Sequence, residues 1–227
     1  MTSFKEKDQT PPGNSLQIFP GLDVLEKVAI ALASASPRRR ELLARLLPEG
    51  NFKIIAADLD ESRLAGEAPA AYVQRLALSK AEVGGKLWLE MQPEPGFKLV
   101  IAADTSVVLG NFIYGKPGQP ARAVTMLEEL AGQTHQVMTG FAVRLLSPQG
   151  SLLKEDVAIC TTEVEIRSLT RAEIDWYVAT GEPLDKAGAY AIQGFGGNLV
   201  NAIRGDYYNV VGLPLVPLIA LLQSIVL

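Results

Sequence analysis

Three consecutive arginines, Arg38, Arg39 and Arg40, follow a Ser-Pro pair where a strand hands over to a helix. The stretch 28–35 (VAIALASA) is short, apolar and β-compatible. Ser36 offers a hydroxyl N-cap, and Pro37 suits the first helical position, where its missing N–H costs nothing. Residues 41–47 continue with helical spacing, which sets Leu42, Leu43, Leu46 and Leu47 on one side. The arginines therefore fall in the first helical turn. There the helix dipole is positive and prefers Asp or Glu by roughly 0.3–1 kcal/mol per charge. A solvated basic helix start is the bland reading of this placement. The reading with chemical content is an anion site: free backbone N–H groups, a serine hydroxyl and guanidinium forks converging on phosphate.

Two sets of carboxylates stand after apolar runs. Asp104 closes KLVIAAD and is followed by Thr105; Asp58, Asp60 and Glu61 close FKIIAAD. Ligands of open α/β sheets bind outside the carboxyl ends of strands, so both sets are expected to face one crevice. Carboxylates there can hold Mg²⁺ or activate water. For Asp58 and Asp60, ordinary turn chemistry explains the residues equally well. Lys116 lies in a tight Gly115-Lys116-Pro117 turn that suits a phosphate contact but is no P-loop, because no GxxxxGK[ST] run exists. Asp185-Lys186 and Gln193, within AGAYAIQGFGG, form a polar, glycine-rich segment where backbone can approach a ligand, or a plain surface loop. His135 is the only histidine, which argues against His-based triads and histidine-rich zinc sites. It is expected in a strand or turn. Cys160 is alone in an apolar strand and reads as a small core residue.

The elements that must position these groups alternate. Strands are expected at 28–35, 52–57 and 98–103, with a hairpin through Gly110-Asn111, then at 134–146 and 156–166. Helices are expected at 70–91, weakened by Gly84-Gly85 and stopped by the proline-rich 92–96, then at 121–131, 170–180 and 212–227. Thr170 with Glu173 is a capping-box pattern, closed by Gly181. Such alternation without internal repeats is the α/β class. Residues 1–24, with Pro11-Pro12-Gly13-Asn14, read as a flexible tail preceding a single domain over 25–227.

With 227 residues, 48% hydrophobic and 20% charged, the chain has material for a full core. A net charge of −4 gives no global field for nucleic acid or a lipid surface, so a polyanion must meet a local cluster. The lone cysteine suits a reducing cytosol, and no secretory signal is visible. The apolar C-terminus is shorter than the ~20 residues needed to span a bilayer and reads as a core helix. A soluble, cytoplasmic protein is expected.

Taken in order, LASASPRRRELL, DLDES, YVQRLALSKA, AADTSVV, GKP, TG, DKAGAYAIQGFGG and GDYYNVVGLPL resemble the Maf proteins, nucleoside triphosphate pyrophosphatases, from about residue 28 to 222. The resemblance implies hydrolysis of a nucleoside triphosphate to the monophosphate and pyrophosphate with a divalent cation, Mg or Mn. It implies a long mixed twisted sheet with helices, in two lobes around a central cleft, related to the inosine-triphosphate pyrophosphatases, and a homodimer. Asp104 matches the proton acceptor, and with Glu61 is expected to hold the metal. Arg38, Thr105 and Gln193 match the positions that select substrate, in the combination of the branch acting on dTTP and UTP. Ser34, Arg39, Lys80, Lys116 and Asp185 match further substrate-binding positions. Gln119 replaces an acidic residue often found after GKP. A pyrophosphatase of broad or other specificity, or a non-catalytic regulator of septum formation, are the rival readings.

Overall fold

The computed structural model describes residues 18–91 and 96–226, over which strands and helices alternate. In chain order these are β1 (Ala29–Leu32), α1 (Pro37–Leu43), β2 (Phe52–Ile54), α2 (Pro69–Met91), β3 (Lys98–Leu109) and β4 (Phe112–Tyr114). There follow α3 (Pro120–Leu130), β5 (Thr134–Leu146), β6 (Leu152–Ile166), α4 (Arg171–Ala179), β7 (Val200–Arg204), α5 (Tyr207–Val211) and α6 (Leu215–Val226). The strands form one mixed sheet in the order β2-β1-β3-β5-β6-β7, with β4 on the edge of β3. β1 runs parallel to β2 and β3, and every other pairing is antiparallel.

Period-two side-chain alternation along β3 explains the layout. Leu99, Ile101 and Ala103 join a core beneath α1 and α6, while Val100 and Ala102 join one beneath α2 on the opposite face. Past Thr105 the same strand supplies Val107 to a third core, shared with α3 and α4. β5 repeats the pattern with Phe141 and Val143, then Ala142 and Leu146, and at its other end Val137. The two long strands thus pass through both lobes of the fold.

β1 accompanies β3 only along Lys98–Ile101, and β4 only along Val107–Leu109. Between them β3 keeps β5 on one side and has no strand on the other. That notch in the sheet edge is where the two lobes part.

The sequence expectations need three corrections. Asp104 does not end a strand, because apolar alternation continues to Leu109 and β5 pairs with β3 from Lys98 to Val108. Gly84-Gly85 does not weaken α2 but lets it lie close to the sheet: a methyl on Gly84 would come within 2.6 Å of the Ala33 Cβ. Residues 18–24, assigned to the tail, pack instead: Ile18 and Leu22 are buried with Leu25 in the core beneath α6, since a chain end carrying these side chains gains by covering apolar surface. The rest of the expected tail, and the stop at 92–95, lie outside the described residues.

Candidate active site

The arginine run starts α1 as expected. Ser36 caps the helix, its hydroxyl accepting from the Arg39 N–H at 3.4 Å, and Pro37 occupies the first turn. Arg39 turns inward and spreads its fork. Nε donates to the Gly212 carbonyl at 2.9 Å, Nη2 to the Thr105 hydroxyl at 3.0 Å and Nη1 to the Ser34 hydroxyl at 3.4 Å. Burial lowers the Arg39 pKa, against the pull of Asp104, yet a guanidinium keeps its charge in proteins. Arg38 also faces the cleft, whereas exposed Arg40 pairs with Glu49 at 3.3 Å.

Neighbouring positions on a strand point to opposite faces, so Asp104 and Thr105 serve different partners. Asp104, on the α2 side, is buried and receives the Lys80 ammonium at 2.6 Å. Lys80 reaches Glu61 at the same distance, which places one cation between two carboxylates. Glu61 belongs to the irregular segment after β2 and is steadied by the Tyr72 hydroxyl, which donates to its carbonyl at 2.8 Å. Partial burial alone would raise the Glu61 carboxyl, but Lys80, Lys116 and Arg39 outweigh it and hold it below its ordinary value. Thr105, on the α1 side, meets Arg39 and the Thr139 hydroxyl, 3.0 Å away.

The far wall is the segment after α4. Asp185 takes a short hydrogen bond from Lys186; burial pushes its carboxyl up, and Lys186 and Arg38 more than reverse this. The turn after Gln193 is held by Glu182, whose carboxylate accepts from the backbone N–H groups of Phe195 at 3.0 Å and Gly196 at 2.9 Å. The Tyr177 hydroxyl donates to the same carboxylate at 2.9 Å and accepts from Ala191 N–H at 3.2 Å. A cleft of about 390 Å³ lies between these walls, in the range of small-molecule sites. Ser34, Arg38, Arg39, Glu61, Lys80, Thr105, Lys116, Asp185 and Gln193 all line it. Asp104 sits one layer behind, in contact through Lys80.

Among the described residues no group of three or more His, Cys, Asp or Glu side chains is placed to hold a metal. Glu61 and Asp104 face each other across the Lys80 ammonium; a magnesium-type cation here would use one or both carboxylates and complete its shell with substrate phosphates and water.

Lys186, expected with Asp185 in a segment near a ligand, lines the cleft. Three contributors carry no role in the sequence reading: Gly212 lines the cleft, and buried Thr139 and Asn209 support Thr105 from below. Asp206 capping the Asn209 N–H is a D-x-x-N signal that marks the start of α5. Nothing local distinguishes Thr139. Asp58 and Asp60 are exposed, and Asp60 accepts from the Ser62 N–H at 2.8 Å in a turn. His135 is buried in β5, its Nε2 2.7 Å from the Tyr190 hydroxyl, and burial pulls its pKa down to about 4. Cys160 is partly buried in β6 against the core beneath α6.

Comparison with known proteins follows the same boundaries. The family Maf, described as Maf-like protein, matches residues 29–225. The chain is 48% identical over 198 residues to a dTTP/UTP pyrophosphatase of Myxococcus xanthus, covering 87% of this chain and 93% of that one. It is 52% identical over 188 residues to a dTTP/UTP pyrophosphatase of Moorella thermoacetica, covering 82% and 90%. Among solved structures, the Staphylococcus aureus Ham1 protein aligns with 86% of this chain and 98% of its own at 16% identity and TM-score 0.42.

Proposed function

We infer that this chain, which belongs to the Maf-like protein family, is a nucleoside triphosphate pyrophosphatase that converts dTTP and UTP to the monophosphate and pyrophosphate. The geometry that best supports this is the meeting, around one cleft, of an arginine-bearing helix start with the buried Asp104–Lys80 pair and the exposed Glu61 that Lys80 also reaches. The two similar proteins named dTTP/UTP pyrophosphatase support the substrate.

Three phosphates need several cations, and the cleft lines up Arg38, Arg39, Lys80, Lys116 and Lys186. Arg39 and the first turn of α1 hold phosphate oxygens by charge-assisted bonds, with Lys116 on the opposite rim. Asp104 orients and deprotonates the water that attacks the α-phosphorus. The bond from that phosphorus to the bridging oxygen then breaks, and pyrophosphate leaves with the electron pair. Lys80 donates to Asp104 at 2.6 Å and fixes the direction its carboxylate faces. A divalent cation, Mg or Mn, held by Glu61 and Asp104, would offset charge on the departing pyrophosphate. General-base help is typically worth ~10²–10⁴-fold, so the arginines, lysines and cation carry much of the remainder. Arg38, Thr105 and Gln193 face the base. The working unit is a cytoplasmic homodimer that engages neither nucleic acid nor membrane. The net charge of −4 supports the part of this reading that concerns nucleic acid, since it supplies no basic field.

The test is pyrophosphate release from dTTP, UTP, CTP, GTP, ATP, ITP and 7-methyl-GTP with Mg²⁺, with Asp104→Asn alongside. Turnover is expected to favour dTTP and UTP, and Asp104→Asn to lose roughly 10²–10⁴-fold in kcat at little change in KM. A variant within threefold of wild type would remove Asp104 as base. Preference for other nucleotides would discard the substrate assignment. Nucleotide binding without turnover would favour a regulator.

A further inference from the structure

We propose that Thr139 and the Asn209 carbonyl are positioning groups that turn the Thr105 hydroxyl proton away from the cleft. Thr105 then meets the base only as an acceptor and selects bases bearing a ring N–H, thymine and uracil, over cytosine. The proposal rests on the reading above that Thr105 faces the base.

The direction of each hydrogen bond follows from what the groups can donate. Arg39 has donors only, so its Nη2, 3.0 Å from Thr105 Oγ1, makes Thr105 an acceptor there. Thr139 is fully buried, and its Oγ1 lies 3.1 Å from the Asn209 carbonyl, which only accepts. The single Thr139 hydroxyl proton is spent on that carbonyl. Across the 3.0 Å contact between the two threonines, Thr105 must therefore donate. The other acceptor near Thr105, the Gly212 carbonyl, is farther at 3.5 Å and already receives Arg39 Nε at 2.9 Å. Thr139 is thus the acceptor that holds the Thr105 proton, and a lone pair remains for the cleft.

The end of this relay is fixed. Asn209 is buried, its side-chain amide donating to the Val137 carbonyl at 3.0 Å and Thr162 Oγ1 at 2.9 Å, and its backbone N–H to Asp206 at 3.0 Å. The carbonyl that takes the Thr139 proton cannot drift. Uracil and thymine present N–H at ring position 3, whereas cytosine presents a lone pair. Opposed to an acceptor-only hydroxyl, cytosine would leave two buried lone pairs facing each other, an unmade bond of the kind sites reject strongly.

The test compares kcat/KM for UTP and CTP in wild type, Thr139→Val and Thr139→Ser. Without the Thr139 hydroxyl, the Thr105 proton is free to rotate into the cleft. The UTP:CTP ratio should fall about tenfold in Thr139→Val, through a gain on CTP, and return in Thr139→Ser. Equal losses on both substrates would make Thr139 merely structural and overturn the proposal. Wild type without a UTP:CTP preference would instead remove the reading that Thr105 faces the base.

A second readout needs no variant, so it stands even if Thr139→Val fails to fold. The ring N–H of 5-fluoro-UTP ionises at lower pH than that of UTP. Its alkaline limb in kcat/KM should move down by the same interval in the wild-type enzyme. Coincident limbs for the two substrates would overturn the proposal.

Discussion

Gly140 lies directly across the β3–β5 ladder from Asp104, on the face where α2 crosses the sheet. A methyl added there would come within 2.5 Å of the Val73 carbonyl carbon and 2.7 Å of the Gln74 nitrogen, both α2 backbone atoms. Backbone cannot swing aside as a flexible side chain does. Relief to ordinary van der Waals separation requires α2 to lift by about 1 Å. Lys80 is one heptad beyond Val73, roughly 10 Å along the same helix face, so it rises with the helix. Gly140→Ala therefore places strain and catalytic misplacement in one substitution. Overpacking costs about 1–3 kcal/mol, and a backbone clash belongs at the upper end. For a chain of this size that is a Tm lower by roughly 6–12 °C. Lifting Lys80 off its 2.6 Å contacts with Asp104 and Glu61 should cost about 10²-fold in kcat, the usual penalty for 1 Å of misplacement. Differential scanning calorimetry and pyrophosphate release on the same preparation measure both. Wild-type Tm together with wild-type kcat would refute the reasoning outright. A lowered Tm with intact kcat would show that α2 bends near Val73 and that Lys80 is held from elsewhere.

Other substitutions follow from the same contacts. Arg39→Lys keeps the charge but loses the fork that spans Gly212, Thr105 and Ser34. KM for dTTP and UTP should rise about tenfold or more, with a smaller change in kcat; an unchanged KM would remove Arg39 from phosphate binding. His135 titrates at about 4 in the folded protein because burial disfavours its charged form, against 6.5 in the unfolded chain. The unfolded chain protonates first as pH falls. The stability linked to His135 is therefore whole above pH 6.5 and is lost between 6.5 and 4, to a total of about 3 kcal/mol. Urea unfolding of wild type and His135→Gln across that window should show the steeper decline in wild type; parallel curves would contradict it.

What could be read in advance was local. Ser36, Pro37 and the leucines after them announce α1 because capping and helical spacing act within one or two turns. Thr170 and Glu173 announce α4 for the same reason, and the capping box forms in full. Local pattern marks Asp104 as chemical but ends its strand there. Its true setting depends on β5, which pairs with β3 across the polar Asp104-Thr105 step and carries the strand to Leu109. β7 is invisible in a glycine-rich stretch, since it exists only by pairing with β6, while α5 carries only its Asp206 cap as a local signal. Nine of the ten expected site residues line one cleft, and Asp104 stands just behind Lys80. Short motifs from separate parts of the chain carry them. Thr139 and Asn209 touch only protein, and their importance arises from long-range pairing that no window of sequence contains.

The long strands that cross both lobes also determine how this molecule can come apart. β3, with twelve residues, and β5, with thirteen, give side chains to the cores at both ends. Neither lobe has a boundary at which the chain could be divided, because a break beside Asp104 would empty part of every core at once. Loss of order at one end withdraws packing from the other through the same backbone. The two ends are accordingly expected to unfold together rather than one after the other.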